Sequence, residues 1–296
     1  MSVQLEQFVN SADVVGLIQR ARCEDLGETG DDVTSRLFIA AHVKASASFR
    51  SRVPGVLSGA ALLPRVAAVY DGTIAVSDLM RDGMRLECGT VIANISGPLR
   101  SVTAMERIAL NFMTHLSGVA TLTASYVDAV AGTKAQVCDT RKTIPGLRGL
   151  QKYAVACGGG TNHRIGLHDA VLIKDNHIAH IPPEELGCEL TRVFAEARGE
   201  TPAPKFIEVE VDTLDQLRIV LACGPDMVLL DNMSNDELRQ AVSMRDADAP
   251  GVLLEASGCV SMETVGGIAQ AGVDRISVGA LTHSAPTLDI GLDIEQ

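Results

Sequence analysis

The chain has 296 residues, of which 46 % are hydrophobic, and its 25 basic and 37 acidic side chains give a formal net charge of −12. This composition excludes a disordered chain, and the acidic balance argues against a nucleic-acid partner, whose binding needs many Lys and Arg contacts to phosphate. The sequence has neither a basic leader nor a run of about 18 apolar residues, so we expect a soluble cytoplasmic protein without a membrane partner.

The first hundred residues predict a small α+β domain. Segments 43–59 and 73–97 alternate apolar and polar residues around turns such as Asp82-Gly83, as antiparallel strands do. A long helix follows, and we begin it at Thr103 because Thr103 and Glu106 fit a capping box. One face of this helix is apolar, and Arg107 lies off that face. The residues that share the apolar face are Met105, Ile108, Phe112, Leu116 and Val119.

Beyond this helix, short apolar runs alternate with amphipathic ones, which predicts a parallel sheet and an α/β class. The predicted strands are QVCDT (136–140), DAVLIK (169–174), KFIEVEV (205–211), DMVLLD (226–231), GVLLEAS (251–257) and DRISVG (274–279). The last four are separated by predicted helices at 213–222, 234–245 and 261–271. Because each strand ends in polar or turn residues, we favour a barrel over a doubly wound sheet, since barrels gather functional groups at that rim.

One stretch of this acidic chain is strongly basic. From Arg141 to Lys174 it holds six Lys or Arg and a single acid, Asp169. Five basic side chains follow predicted strand ends or a glycine run, which would place them together at one mouth of the barrel. They are Arg141, Lys142, His163, Arg164 and Lys174. Any one of them could belong to an ordinary solvated surface. Together they would repel one another unless an anion neutralised them, so we predict a ligand with at least two anionic groups.

Carboxylates end the neighbouring predicted strands. Glu208 and Glu210 lie two residues apart and therefore share a face of their strand, while Asp231 ends the next strand. These acids are either structural counter-charges or ligands of a hard cation, and we favour Mg²⁺, which proteins hold through one or two carboxylates together with substrate phosphates.

Small residues follow the last two predicted strands, at Ser257-Gly258 and Gly279-Ala280. Glycines there could simply permit tight turns. In barrels, however, the loops after the final strands often bind phosphate through backbone N–H groups, and we predict a phosphate site.

Motifs over nearly the whole chain resemble the quinolinate phosphoribosyltransferase family. They comprise EDLGETGDDVTS (24–35), FRSRVPGVLSG (49–59), ERIALN (106–111), DTRKTIPGLRGLQKYAVACGGGTNHRIGLHDAVLIKDNH (139–177), EVEV (208–211), LLDNM (229–233), EASG (255–258) and SVGALTHSAP (277–286). The resemblance implies an amino-terminal α/β sandwich domain, residues 1–117, and an incomplete, seven-stranded α/β barrel, residues 118–296. It also implies a homodimer or a larger homo-oligomer.

The resemblance implies phosphoribosyl transfer from phosphoribosyl pyrophosphate to quinolinate, with Mg²⁺, giving nicotinate mononucleotide, pyrophosphate and CO₂. Lys142, Glu210 and Asp231 would be catalytic, and Glu210 and Asp231 would hold the metal. The residues that would bind substrates are Arg107, Thr140, Arg141, Lys142, His163, Arg164, Lys174, Glu210, Asp231, Ser257, Gly258, Gly279 and His283. Arg107 would reach into the neighbouring subunit's site, and Ser257, Gly258 and Gly279 would hold the 5′-phosphate.

Two departures from the family pattern, Ile144 and Ala156, lie beside these positions and bear on kinetic detail. Two rival functions remain open. One is a paralogue of the same fold similar to the molybdenum-transport-associated homologue, which the string Lys174-Asp175-Asn176-His177 disfavours. The other is a non-catalytic anion-binding protein, which has no need of carboxylates such as Glu210 and Asp231 facing its ligand.

Overall fold

The structure is a computed structural model that describes residues 11–295, apart from the side chain of Pro183. Contacts divide the described chain into two compact units. The first unit takes in the chain up to Ala124, the segment Ile144–Gly159 and the residues from Ser284 onward. The second comprises Ser125–Thr143 and Gly160–His283. The boundary after residue 117 stays a prediction.

The first unit contains a four-stranded antiparallel sheet. The strands of this unit are β1 Lys44–Ser51, β2 Gly55–Val56, β3 Ala75–Ser77, β4 Arg85–Leu86, β5 Val91–Pro98 and β12 Ile290–Ile294. Of these, β2 and β4 form a separate two-stranded ribbon. Strand order in the main sheet is β12-β1-β5-β3. The helices are α1 Ala12–Leu26, α2 Val33–Phe38, α3 Leu63–Tyr70, α4 Leu99–Ala129 and α5 Arg148–Cys157. The predicted antiparallel pairing is therefore confirmed.

The predicted start of the long helix was wrong. Helix α4 begins at Leu99, directly after β5, so Thr103 lies inside it. The Thr103 hydroxyl donates to the carbonyls of Leu99 at 2.9 Å and Arg100 at 3.0 Å, which is how a threonine is accommodated within a helix rather than at its cap. Of the predicted face, Met105 and Val119 are fully buried, and Arg107 is exposed as expected.

The second unit is built on a six-stranded parallel sheet with the order β6-β11-β10-β9-β8-β7. Its strands are β6 Gln136–Cys138, β7 Val171–Ile173, β8 Ile207–Val211, β9 Met227–Asp231, β10 Leu253–Ser257 and β11 Arg275–Ser277. Its helices, besides the end of α4, are α6 Asp175–Ile178, α7 Pro183–Gly199, α8 Leu214–Cys223, α9 Asn235–Asp248, α10 Val265–Gln270 and α11 Ala280–His283. All six predicted strands are present, each one to three residues shorter than its apolar run.

The sheet has the form expected of an incomplete barrel. Cys138 of β6 also makes a parallel bridge to Thr161, which extends the sheet by a single residue in place of a full seventh strand. In its central strands, Val209, Val228 and Leu254 have no exposed surface. Burial of this kind is typical of parallel strands covered by helices. The polar residues of these strands include Glu210, Asp231 and Ser257 near the carboxyl ends, and Glu208 and Glu255 buried within the strands.

Two of the βα turns are held by capping boxes. The Thr213 hydroxyl accepts the N–H of Gln216 at the start of α8, and the Ser234 hydroxyl accepts the N–H of Glu237 at the start of α9. These caps satisfy donors that a helix start leaves open. Among residues 11–295, no helix is long and apolar enough to cross a membrane.

Candidate active site

The carboxyl ends of the parallel strands surround a pocket of about 430 Å³ in the second unit. Its lining residues are Thr140, Arg141, Lys142, His163, Arg164, Leu172, Lys174, Glu210, Leu229, Asp231, Glu255, Ser257 and Ser277. Nine of the site residues proposed from the sequence lie in this lining. They meet because parallel strands present all their carboxyl ends at one edge.

Three further predicted residues lie next to the pocket. A Cβ on Gly279 would stand 3.0 Å from His283 Nε2 and 3.2 Å from Lys142 Cδ, so both side chains pack closely against this glycine. Gly258 has φ +99°, and a Cβ there would stand 2.1 Å from Asn232 Oδ1. By contrast, Arg107 is exposed on α4 and is absent from the pocket lining.

Three cations of this pocket have no carboxylate partner within residues 11–295. Among the described residues, none of Arg141, Lys142 and Arg164 has a carboxylate oxygen within the 4.0 Å that defines an ion pair. The Nε of Arg141 is buried without a hydrogen-bond acceptor. Burial, together with the charge of Arg141, lowers the pKa of Arg164. Uncompensated guanidinium groups at this spacing favour an anionic ligand, and carboxylates suit their paired N–H donors.

Glu210 and Asp231, two of the three carboxylates that line the pocket, make different contacts. Glu210 accepts a short hydrogen bond from the Lys174 ammonium group. Asp231, one strand away, accepts the Asn232 side-chain N–H at 2.7 Å. Both face the pocket, so a carboxylate pair on adjacent strands is available to a hard cation that arrives with a phosphate-bearing ligand.

Glu208 does not line the pocket, contrary to the expectation that it joins Glu210 and Asp231 there. Its side chain has no exposed surface, and its Oε2 lies 2.9 Å from Nε2 of His163. The two-residue spacing placed Glu208 and Glu210 on one face correctly, but Glu208 lies deeper in the barrel. Burial raises the pKa of Glu208 to about 7.

Glu255, which the sequence reasoning did not assign, is a second buried carboxylate of this region. Arg275 Nε donates to Glu255 Oε2 at 2.8 Å, the Ser277 hydroxyl donates to Oε1, and His163 Nε2 lies 3.4 Å away. Burial raises the pKa of Glu255. The signal that could have identified it is an acid in the middle of the apolar strand LLEAS.

Ligand atoms of His163, Glu208 and Glu255 lie within 4.8 Å of one another, close enough for a metal site. The chemistry of this cluster does not favour a metal ion, however. The Arg275 guanidinium already neutralises Glu255, and a divalent cation would have to displace it or lie against its charge. Glu210 and Asp231 suit Mg²⁺ better, because both line the pocket and Glu210 is paired with Lys174, whose side chain is more exposed than that of Arg275.

The chain matches two models of one protein family. The N-terminal domain of quinolinate phosphoribosyl transferase matches residues 32–117, and the C-terminal domain of the same enzyme matches residues 119–293. The chain belongs to the quinolinate phosphoribosyl transferase family. The resemblance inferred from sequence motifs is therefore confirmed, and so is the α/β barrel class with its separate amino-terminal domain.

Relatives within this family are similar over almost the whole chain. The carboxylating nicotinate-nucleotide pyrophosphorylase of Mycobacterium leprae is 45 % identical over 279 residues, which cover 94 % of this chain and 95 % of the relative. A decarboxylating, mitochondrial quinolinate phosphoribosyltransferase of Nicotiana tabacum is 37 % identical over 298 residues, covering 96 % and 82 %.

Solved structures agree with this assignment. The nicotinate-nucleotide pyrophosphorylase from Francisella tularensis matches with a TM-score of 0.85 and 36 % identity, covering 96 % of both chains. The corresponding protein from Ehrlichia chaffeensis matches with a TM-score of 0.85 and 37 % identity, covering 95 % of this chain and 98 % of that one. The similarity thus includes both units of the fold.

Proposed function

We propose that this quinolinate phosphoribosyl transferase transfers the phosphoribosyl group of phosphoribosyl pyrophosphate to quinolinate. Decarboxylation follows, and the products are nicotinate mononucleotide, pyrophosphate and CO₂, as in de novo NAD biosynthesis. One observation carries the proposal: a single pocket is lined by the carboxylates Glu210 and Asp231 and by Arg141, Lys142 and Arg164, which have no carboxylate partner in the described part of the chain. The names of relatives that are 36–45 % identical support it.

The division of labour follows from charge. Arg141 and Arg164 bind the two carboxylates of quinolinate, because guanidinium groups offer paired donors to a carboxylate. Lys142 neutralises the departing pyrophosphate. The backbone at Ser257-Gly258 and Gly279 holds the 5′-phosphate, and His283 adjoins this loop. Thr140, His163 and Lys174 complete the pocket wall.

The chemistry begins with attack of the pyridine nitrogen on C1 of the ribose while the C1–O bond to pyrophosphate breaks. Positive charge develops on the sugar, and the carboxylates of Glu210 and Asp231 stabilise it. CO₂ then departs from the ring carbon beside the quaternised nitrogen, and that carbon keeps the electron pair of the broken C–C bond as an ylide, which the adjacent positive charge stabilises. A proton from solvent completes that carbon, so charge and atoms balance.

Mg²⁺ fits the pair Glu210 and Asp231, since it is commonly bound by one or two carboxylates plus phosphate oxygens. When bound, it would screen the negative charge of the pyrophosphate group. The ion pair between Lys174 and Glu210 keeps this carboxylate balanced in the unliganded protein.

We infer further that the protein works as a homodimer or a larger homo-oligomer. Arg107 is exposed on α4. Such exposure is expected of a residue that contributes to a neighbouring subunit's pocket rather than to its own. Analytical ultracentrifugation tests the assembly. Activity regained on mixing inactive R107A with inactive D231A tests the crossing of Arg107, and a mixture without activity contradicts it.

The decisive experiment supplies purified protein with quinolinate, phosphoribosyl pyrophosphate and Mg²⁺ and measures pyrophosphate and CO₂ together. Equal amounts of both products are expected. Pyrophosphate release that depends on another acceptor and yields no CO₂ would favour a paralogue of the molybdenum-transport-associated type. Binding of quinolinate without either product would favour a non-catalytic anion-binding protein.

A further inference from the structure

The imidazole of His163 is engaged through both of its nitrogens. Nδ1 accepts the backbone N–H of Arg164 at 2.8 Å. Nε2 lies 2.9 Å from Glu208 Oε2. The His163 side chain lines the pocket, but only 6 % of its surface is exposed.

These contacts determine the tautomer. A nitrogen that accepts a backbone N–H carries no proton, so Nδ1 is unprotonated. A neutral imidazole then has its proton on Nε2, which donates to Glu208. A cationic His163 would need a proton on Nδ1 and would lose the bond from Arg164. The geometry therefore describes a neutral ring, whereas the sequence reasoning counted His163 among the cations around the ligand.

Neighbouring groups hold the ring and its backbone in place. The ring of Phe206 packs edge-on against the imidazole, with centroids 5.3 Å apart and an interplanar angle of 88°. The backbone N–H of His163 donates to Asp139 Oδ1 at 2.9 Å. The acids that face the imidazole are thus Glu208 and Glu255, with Arg275 bound to the latter.

The constrained backbone leads directly to a pocket cation. The backbone N–H that His163 Nδ1 accepts belongs to Arg164. The Nη1 of Arg164 donates to the carbonyl of Ala170 at 3.3 Å. Among the described residues it has no carboxylate partner that could orient it. Its direction therefore depends on its backbone and on this carbonyl.

We propose that Glu208 and His163 form a positioning pair, in which neutral His163, held by buried Glu208, fixes the backbone of Arg164 so that its guanidinium meets the anionic substrate. His163 is then a positioning residue rather than a charged substrate ligand. The kinetic part of this proposal rests on the proposed function, because it takes Arg164 as a quinolinate-binding residue.

The tautomer is tested without any substrate. In protein labelled with ¹⁵N-histidine, with the His163 signal assigned by its loss in H163N, the two ring nitrogens report their protonation at pH 6. An unperturbed imidazole, with a pKa of about 6.5, would be mainly cationic at this pH. The proposal expects an unprotonated Nδ1 and a protonated Nε2. Two protonated nitrogens, or a proton on Nδ1 alone, would overturn it.

The positioning role is tested by two matched variants. H163N keeps an acceptor near the Nδ1 position but carries no charge, whereas H163K keeps a charge but loses the acceptor. The proposal expects H163K to raise the KM for quinolinate about tenfold more than H163N. The reverse order would identify His163 as a cationic ligand and overturn the proposal.

A double-mutant cycle shows whether the effect passes through Arg164. H163A alone should raise the KM for quinolinate about tenfold, but H163A added to R164A should change it by less than about twofold. Full additivity would contradict the proposal. If wild-type protein does not use quinolinate at all, the proposed function fails, and the nitrogen signals still decide the tautomer.

Discussion

The arginines at the two ends of the parallel sheet differ in how they are paired. At the amino-terminal end, Arg245 has a side chain that is 4 % exposed and is fully paired, with Asp274 at 2.6 Å and Asp246 at 2.6 Å. At the carboxyl-terminal end, Arg141 and Arg164 have no carboxylate within ion-pair distance among the described residues. A buried charge is costly unless it is paired. We therefore infer that Arg245 stabilises the fold, whereas Arg141 and Arg164 are available to an anionic ligand.

Asp274 is the centre of the amino-terminal cluster. It accepts the N–H of Leu254 at 2.9 Å and pairs with Lys134 at 2.7 Å as well as with Arg245. Burial would raise the pKa of Asp274, but these hydrogen bonds outweigh it and lower the pKa. The cluster therefore ties β10, β11 and the end of α9 together without any ligand.

The largest expected effect is on turnover at the carboxyl-terminal end. D231A should lower kcat by about 10²–10³-fold, because a carboxylate that stabilises transition-state charge is lost. The free energy of unfolding should change little, since the hydrogen bond of the Asp231 carboxylate within the described chain comes from the neighbouring Asn232 side chain. Steady-state kinetics measure the effect, with D236A at the exposed start of α9 as the control. An unchanged kcat would remove Asp231 from the catalytic residues.

At the other end, D274A should lower the free energy of unfolding by about 3 kcal/mol, since Arg245 is left buried with fewer partners. The KM for quinolinate should stay within twofold of wild type. Urea denaturation and kinetics on the same preparation measure both quantities. A large rise in KM without loss of stability would contradict the division between the two ends.

The same carboxylate predicts a pH dependence. Because the pKa of Asp274 is lower in the folded protein than in the unfolded chain, its contribution to stability is complete above about pH 4 and is lost as the pH falls below that value. The stability difference between wild type and D274N should therefore shrink on acidification. A difference that grows between pH 5 and pH 3 would show the opposite sign.

A smaller effect is expected for R141A, which should raise the KM for quinolinate about 10–50-fold and leave kcat less affected. The loss of this half-buried cation should not destabilise the fold, because Arg141 has no carboxylate within ion-pair distance among the described residues. R239A removes an exposed arginine paired with Asp236 and serves as the matched control. Equal KM values for R141A and R239A would contradict the assignment of Arg141.

The smallest effect concerns backbone strain at the pocket loop. Cys259 follows Gly258 with φ +46°, a conformation that L-residues rarely adopt. C259G should raise the free energy of unfolding by about 1 kcal/mol, because relief of strain exceeds the added flexibility of the unfolded chain. Thermal unfolding measures the change, and a destabilised C259G would show that the thiol makes contacts worth more than the strain.

The strands and their polar ends were predictable because their apolar runs stop at residues such as Glu210 and Asp231, and parallel strands carry such ends to one edge. The depth of Glu208 was not predictable, since a spacing of two residues determines which face of the strand the two side chains share but not their distance from the barrel mouth. The ion pair between Glu255 and Arg275 was not predictable either, because it joins two strands whose sequences are mainly apolar. Arg245 and Asp274 are likewise 29 residues apart, and only the folded sheet brings them together.

The central claim is that unpaired cations at the carboxyl-terminal end bind a dianion. Isothermal titration calorimetry of quinolinate and of nicotinate, which has one carboxylate, tests this claim on wild type and on R141A. The account predicts that wild type binds quinolinate at least about tenfold more tightly than nicotinate and that R141A loses most of this preference. Equal affinities of wild type for the two ligands would contradict it.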